Sequence, residues 1–302
     1  MNVIKPTPLA DSNFTYSDVL EPDTGEVLWV AGANYTLSTE VIRPTTHRKY
    51  KNILAGIDAG LPENTPLRWV ESGVTNKWAA IDLLRNTQSM RANVLTMKFT
   101  LTEFVDSAGI IGLVGQSFNI KVVSRGVQVY DYSQSLYKRA ARTWYNWFFG
   151  QLQQIESAVR LDLPIYANPE ITLTIYNEGG IAKCGGIVLG RKVYIGNIEY
   201  GSSGDDLNFS KFDRAFDGTS LLLQRRSVPT VDGGLSVAKA NVDIIRNLKK
   251  TLNAVPTIWT GMEDENIDDY FELFLIYGIY KKFSINAEHP THAKITLQLE
   301  EF

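Results

Sequence analysis

The chain has 302 residues, 44% of them hydrophobic and 21% charged, and its formal net charge at pH 7 is −3. This composition is typical of a globular protein, and at roughly 100–200 residues per domain the length predicts two or three folded units. The charge balance provides no basic surface for nucleic acid, so we expect no nucleic-acid partner.

Two further features of the sequence restrict its chemistry. Cys184 is the single cysteine, which excludes an internal disulfide and provides no thiolate cluster for zinc. The first residues contain no basic segment followed by an apolar run, and no stretch of about 18 apolar residues occurs. We therefore expect cytoplasmic synthesis and no membrane insertion.

Residues 1–86 are rich in Pro, Thr and Asn, with short strands predicted around EVLWV (26–30) and EVIRPTTHRKYKNI (40–53). This pattern predicts a small β unit. The segment before it, MNVIKPTPLADSNFTYSD (1–18), is predicted to be an extended arm that becomes ordered by contact with neighbouring proteins.

Residues 87–190 are predicted to form a jelly-roll-like β-sandwich, because evenly spaced segments alternate apolar and polar residues between turn residues. The clearest predicted strands of the chain are VLTMKFTLTEF (94–104), FNIKVVSRGVQVYDY (118–132), EITLTIYN (170–177) and AKITLQLEEF (293–302).

One segment inside this block, RAARTWYNWFFGQLQQI (139–155), predicts a helix with aromatic side chains over most of its circumference. Such a helix is usually buried between layers of one chain or between subunits. Both interpretations, core packing and an oligomer or partner interface, are open for the cluster Trp144, Tyr145, Trp147, Phe148 and Phe149.

Residues 191–302 are predicted to form an α+β domain with one amphipathic helix over 236–253. Ser236 is a suitable N-cap and Pro256 ends the helix. The residues expected on its buried face are Val237, Ala240, Ile244, Leu248 and Leu252. The acidic run MEDENIDDYF (262–271) lacks the spacing of a calcium-binding loop and predicts a solvated hairpin loop.

Catalytic motifs are not evident in the sequence. His289 and His292 have metal-ligand spacing for a helix, but Pro290 between them disfavours a helix there. We therefore predict no enzyme activity, no cofactor and no metal site.

The segment VLWVAGANYTLSTEVIRPTTHRKYKNILAGIDAGLPENTPLRWVES (27–72) resembles the small carbohydrate-binding modules found on chitinases. In such a module a Trp and a Tyr precede a short strand, and a Pro-rich turn leads to a closing Trp. The resemblance implies that glycans stack on Trp29, Tyr35, Tyr50 and Trp69. A small β unit also needs such residues as its core, so both roles are open.

A wider set of segments extends over nearly the whole chain: EPDTGEVLW, TTHRKYKNILAGIDAGLPENTPLRW, GVTNKWAAID, GIIGLVGQ, RTWYNWFF, LPIYANPEITLTI, CGGIVLG and YGIYKKFSINAEHPTHAKITLQLEEF. Together they resemble a family of structural proteins of tailed bacteriophages and prophages, found among tail and baseplate components. The resemblance implies a virion protein that is assembled in the host cytoplasm.

From this resemblance we expect a non-enzymatic component of a phage tail, at the baseplate or tail tip. It would form a homo-oligomer and bind other tail proteins through the N-terminal arm and the aromatic cluster. The alternative is a receptor-binding tail protein that recognises a host-surface glycan through residues 1–86. An enzyme that degrades cell-wall polysaccharide is the third hypothesis.

Two tryptophans in RWVESGVTNKWAAIDLL (68–84) receive different interpretations. Trp69 closes the module-like pattern, whereas Trp78 lies in a segment shared only with the wider family. We predict that Trp78 packs at the junction between residues 1–86 and the sandwich.

Overall fold

The computed structural model describes residues 1–139, 143–262 and 271–301, which form a mainly β protein with few helices. The predicted fold class is therefore confirmed. The four segments predicted as the clearest strands consist largely of strand residues, although residues 101–104 and the turn at 125–126 are not strand. Most of the predicted acidic loop at 262–271 lies outside the described residues.

The strands are β1 (Asn2–Pro6), β2 (Phe14–Ser17), β3 (Ala33–Tyr35), β4 (Glu40–Arg43), β5 (Arg48–Asn52), β6 (Gly56–Asp58), β7 (Trp69–Val74), β8 (Ser89–Thr100), β9 (Ser107–Ile111), β10 (Ser117–Ser124), β11 (Val127–Ser135), β12 (Tyr137–Arg139), β13 (Leu152–Gln154), β14 (Ser157–Arg160), β15 (Glu170–Cys184), β16 (Gly186–Tyr194), β17 (Asn197–Ile198), β18 (Ser203–Asn208), β19 (Lys211–Arg214), β20 (Ser220–Leu223), β21 (Ser227–Ala238), β22 (Thr257–Thr260), β23 (Leu275–Asn286) and β24 (His292–Glu301). The α-helices are α1 (Trp144–Phe149) and α2 (Val242–Thr251), and short 3-10 turns cover Asp11–Asn13, Pro62–Asn64, Lys239–Asn241 and Glu272–Phe274.

The largest sheet has the strand order β14-β9-β16-β1-β22-β23-β24-β21-β17, with β18 also paired to β21. It takes strands from all three predicted blocks, and β16 crosses the boundary placed at residue 190. The division into units at residues 86 and 190 stays a prediction.

The N-terminal strand β1 lies in the centre of this sheet, antiparallel to β16 on one side and β22 on the other. Val3 and Ile4 are fully buried. The prediction of an extended arm over residues 1–18 is therefore wrong, and Phe14–Ser17 of the same segment pair with β8 as β2. The short apolar run pairs its backbone on both sides and buries its side chains, which stabilises it without a partner protein.

A five-stranded sheet, β11-β10-β15-β8-β2, packs against β14, β9 and β16. Side chains alternate between the two faces of β10, where Phe118, Ile120 and Val122 are buried. The two layers enclose one hydrophobic core, as in a β-sandwich.

The C-terminal helix differs from its predicted boundaries of 236–253. Residues Ser236–Ala238 belong to β21, because Leu235 and Val237 pair with Ile295 and Ala293 of β24 and point into the core. The helix begins six residues later, so its buried face carries Ile245, Leu248 and Leu252, and Ile244 is exposed. The predictions for Leu248 and Leu252 are correct, and those for Ala240 and Ile244 are wrong.

The helix predicted over 139–155 is also much shorter. Among the described residues of this range, Trp144–Phe149 are the helical ones, and the flanking strands β12 and β13 pair as a two-stranded hairpin. Gly150 adopts an extended conformation that ends the helix after six residues.

The small β unit contains two sheets, β4-β5-β7 and β3-β6. Its core is separate from that of the sandwich and consists of Tyr35, Val41, Tyr50 and Trp69, with Trp29 and Ala33 packed against it.

Candidate functional site

The four residues predicted to bind glycan come together in the small β unit, but three of them are buried. Tyr35, Tyr50 and Trp69 expose only 7%, 6% and 2% of their surface. The rings of Tyr35 and Trp69 meet edge to face, with centroids 5.1 Å apart. Buried rings cannot stack on a sugar, so these three residues form a core.

A carboxylate completes this core. The indole Nε1 of Trp69 donates to Asp58 Oδ2 at 2.6 Å, and the Gly60 amide donates to Oδ1 at 2.9 Å. Burial by itself would raise the pKa of Asp58, but these hydrogen bonds and the Arg68 guanidinium at 3.5 Å outweigh it and lower the pKa. The buried indole therefore has a charged acceptor.

Trp29 is the least buried of the four predicted residues. The guanidinium of Arg43 lies 5.2 Å from the centre of its ring and also contacts Glu63 at 3.2 Å. One face of the indole is thus covered by an ion pair, and the unit lacks a flat set of exposed rings among these four residues.

Trp78 lies between the small β unit and the sandwich. His47, from the turn between β4 and β5, stacks on its ring at 4.2 Å. Phe14 also meets this ring edge to face at 5.6 Å, and Phe14 itself stacks on Phe99 of β8 at 5.0 Å. His47 is held by Glu21, whose carboxylate lies 2.9 Å from Nδ1. Trp78 thus contacts both parts of the molecule, at the predicted junction.

The predicted interface cluster lies on a projecting hairpin formed by β12, α1 and β13, which we call the aromatic hairpin. Its base is fixed by Leu136, which is fully buried and accepts a hydrogen bond from the Ile155 amide at 2.8 Å. Beyond that point all described residues from 137 to 154 except Gly150 are exposed. The exposed fractions are 80% for Trp144, 71% for Tyr145, 53% for Trp147, 69% for Phe148 and 74% for Phe149. The alternative of core packing within the chain is therefore wrong for this cluster.

A second projecting hairpin, formed by β19 and β20, was not predicted. We call it the aliphatic hairpin. It extends the β18–β21 pair outward, and residues 211–227 are all exposed. Its exposed apolar side chains are Phe209, Phe212, Phe216, Leu221, Leu222 and Leu223. The sequence signal for it was the turn-forming pair Asp217-Gly218 with apolar residues on both sides. In the structure Gly218 adopts a φ of +86°, as such a turn requires.

A groove of 570 Å³ lies beside the base of the aromatic hairpin. It contains the carboxylates of Glu156, Glu272 and Glu301. Arg85 bridges Glu301 and Glu156, with 3.2 Å to the latter, and Arg226 also pairs with Glu301. Burial raises the pKa of Glu272, which accepts a hydrogen bond from Ser157 at 3.3 Å. These contacts join β24 to the sandwich. Each of the three carboxylates has a partner within the chain, so we interpret them as structural groups.

No group of three metal-ligating side chains is placed to hold an ion within residues 1–139, 143–262 and 271–301. In the same ranges, none of the helices has both the length and the apolar character that crossing a membrane requires.

Comparison with known proteins adds no assignment. No protein-family model matches the chain, and a search of curated proteins found no match either. The resemblance to phage tail proteins therefore stays a prediction.

Proposed function

We propose that the protein is a structural component of a bacteriophage tail, at the baseplate or tail tip, and that it forms a homo-oligomer through its aliphatic hairpin. The observation that carries this proposal is the projection of that hairpin from the body, with six large apolar side chains uncovered by the described part of the chain.

Two physical arguments support assembly. A two-stranded hairpin is at best marginally stable in water, because it has no second layer against which to bury its apolar side chains. In addition, contiguous exposed apolar surface on a folded protein usually marks an interaction site. Leu221 and Leu222 each expose 69% of their surface, which a partner would cover.

The charges of the aliphatic hairpin suit a protein partner. Lys211 pairs with Asp213 at 2.7 Å, and Arg214 and Asp217 follow near the tip. A polar rim around an apolar centre is typical of protein–protein interfaces. A second copy of the chain presents the same charges and apolar side chains, so two hairpins could pair in a closed, symmetric assembly.

The alternative of glycan recognition through the small β unit has less support. Tyr35, Tyr50 and Trp69 are buried in the core of this unit, and Trp29 is partly covered by Arg43. The phage assignment itself depends on the sequence resemblance, and it predicts that the chain is present in purified tails.

The test compares the molar mass of the wild-type chain in solution with the molar mass of variants of the aliphatic hairpin. We expect the full chain to form oligomers whose mass, measured by multi-angle light scattering, rises with concentration. The double variant Leu221→Ser and Leu222→Ser should remain monomeric, because it removes the apolar centre of the contact. The matched control is Leu20→Ser with Leu67→Ser, two leucines that are also highly exposed, at 71% and 90%.

Three results would contradict the proposal. The first is a monomeric wild-type chain at all concentrations, and the second is an equal loss of mass in the control variant. The third is absence of the chain from purified tails, which contradicts the phage assignment and leaves the oligomer contact standing.

A further inference from the structure

The aromatic hairpin differs from the aliphatic one in how it presents its apolar surface. At 100° per residue, the five aromatic residues of α1 cover an arc of about 200°, with Asn146 alone on the opposite side. All five expose more than half of their surface. The apolar face is therefore broad, aromatic and directed away from the body.

The conformation of the tip is held by local contacts. Thr143 caps the helix, since its Oγ1 accepts a hydrogen bond from the Asn146 amide at 3.2 Å. Arg139 of β12 donates to the Trp147 carbonyl and lies 5.3 Å from the centre of the Trp147 ring. The rings of Tyr145 and Phe149 are 5.1 Å apart. The helix is thus formed and attached to the hairpin before any partner covers it.

The charge of the hairpin has one sign. Between Asp131 and Glu156 the sequence contains Lys138, Arg139 and Arg142 and no acidic residue, although the whole chain has a net charge of −3. Lys138 and Arg139 are exposed at the base of the helix-bearing tip, where Lys138 also lines the groove that contains Glu156 and Glu272. The aliphatic hairpin, by contrast, includes Asp213 and Asp217 among its basic residues.

We propose that the aromatic hairpin docks on the surface of an anionic lipid bilayer. Trp and Tyr favour the membrane–water interface, where the ring is in an apolar environment and its polar group stays hydrated. Exposed Lys and Arg beside such rings are attracted to anionic headgroups. Trp144, Tyr145, Trp147, Phe148 and Phe149 enter the interface, and Lys138 and Arg139 contact the headgroups.

The size of the tip fits a peripheral contact. A helix of six residues is about 9 Å long, far short of the roughly 30 Å hydrocarbon core, so it lies in the interface and does not span the bilayer. This contact is compatible with the expectation of no membrane insertion, which concerned spanning segments. It goes beyond the proposed oligomer contact, which uses the other hairpin.

Uniform positive charge favours a lipid surface over a protein as the partner. A protein interface generally combines an apolar centre with a polar rim. The aliphatic hairpin carries charges of both signs beside its apolar residues. The 24 residues from 132 to 155 offer no carboxylate to the basic side chains of a partner protein. An anionic bilayer requires none.

The experiment is co-sedimentation of the full chain with vesicles of phosphatidylcholine alone or mixed equally with phosphatidylglycerol. We expect binding to the anionic vesicles, weaker binding at high salt, and little binding to phosphatidylcholine alone. Brominated lipids should quench tryptophan fluorescence, since two exposed tryptophans would reach the interface.

Three variants separate the contributions. The aromatic variant, Trp144→Ser, Trp147→Ser and Phe148→Ser, should lose binding and the quenching. The charge variant, Lys138→Glu with Gln151→Glu, keeps every aromatic ring and should lose binding to anionic vesicles. The matched control, Leu20→Ser with Leu67→Ser, alters two exposed leucines outside both hairpins and should bind as the wild type does. Circular dichroism before binding establishes that each variant is folded.

Absence of wild-type binding to anionic vesicles would overturn the proposal, and so would undiminished binding of the aromatic variant. If the aromatic variant instead changes the molar mass of the chain and vesicles do not bind, the hairpin is a protein contact. The oligomer proposal is judged separately, from the molar mass of the variant with Leu221→Ser and Leu222→Ser.

Discussion

The small β unit and the aromatic hairpin are both rich in aromatic residues, yet the structure uses them in opposite ways. Tyr35, Tyr50 and Trp69 form a closed core, whereas Trp144 and Trp147 project into solvent. The difference shows that aromatic density alone does not distinguish a core from a binding surface.

Spacing and polar partners explain the contrast. The aromatic residues of the small unit lie on different strands, so their side chains converge on one interior, and Asp58 accepts the hydrogen bond of the Trp69 indole. In the hairpin five aromatic residues share one six-residue helix and point over a wide arc. No single layer could cover them all.

The largest expected effect is the difference in unfolding free energy between alanine variants of the buried Trp69 and the exposed Trp147. Trp69→Ala should destabilise the small unit by about 3–5 kcal/mol, because it empties a buried site. Trp147→Ala, on the hairpin, should change the free energy of unfolding by no more than about 0.5 kcal/mol, because its side chain is largely exposed. Urea unfolding followed by circular dichroism measures both.

Trp69→Phe is the matched control for the first variant, since it keeps a ring in the site and removes the indole hydrogen bond. It should lie between wild type and Trp69→Ala. Equal destabilisation by Trp69→Ala and Trp147→Ala would show that the two environments do not differ as described.

Trp78 occupies an intermediate position in this comparison. It is half-buried between His47 and Phe14, so Trp78→Ala should cost roughly 2 kcal/mol, about half of the value for a fully buried Trp. Because the contact joins the small unit to the sandwich, we also expect the small unit to unfold at lower temperature than the sandwich. Differential scanning calorimetry would detect the separation.

Trp78→Phe should retain most of the stability, because a ring remains between His47 and Phe14. If the melting transition of Trp78→Ala is identical to that of the wild type, Trp78 does not stabilise the junction and this interpretation is wrong.

The parts of the fold that were predictable follow from local patterns. Alternation predicted strands correctly over residues 170–177 and over residues 94–100 of the segment 94–104, because each strand buries one face. The junction position of Trp78 was expected from its place between two segments. The strand predictions depend on residues near one another in sequence.

The errors come from contacts between distant residues. Nothing near residues 1–18 indicates that β1 pairs with β16 and β22, nearly 200 and 260 residues away. The helix prediction at Ser236 failed because β24 extends the sheet through Ala238, which overrides a suitable N-cap. Exposure of the aromatic cluster could not be read from composition, since a buried helix has the same residues.

The smallest expected effect tests the polar partner of the buried indole. Asp58→Asn should destabilise the chain by about 1 kcal/mol at neutral pH, because a charged acceptor becomes a neutral one. The pKa of Asp58 is lowered in the folded state, below the value of about 3.9 for an unfolded Asp. Its stabilising contribution is therefore present above that unfolded value and is lost as the pH falls through the folded pKa.

The difference in unfolding free energy between wild type and Asp58→Asn should accordingly shrink as the solution is acidified below about pH 4. Asp217→Asn is the matched control from the tip of the aliphatic hairpin. The backbone amide of Thr219 donates a hydrogen bond to Asp217 at 2.9 Å. The hydrogen bonds from Thr219 lower the pKa of Asp217, as those from Trp69 and Gly60 do for Asp58. Unlike Asp58, however, Asp217 is fully exposed and outside any core. We expect no measurable pH-dependent change in global stability for that control. A pH-independent difference for Asp58→Asn would mean that the ionised carboxylate is not what holds Trp69 in the interior, and that ring packing alone separates the buried unit from the exposed hairpin.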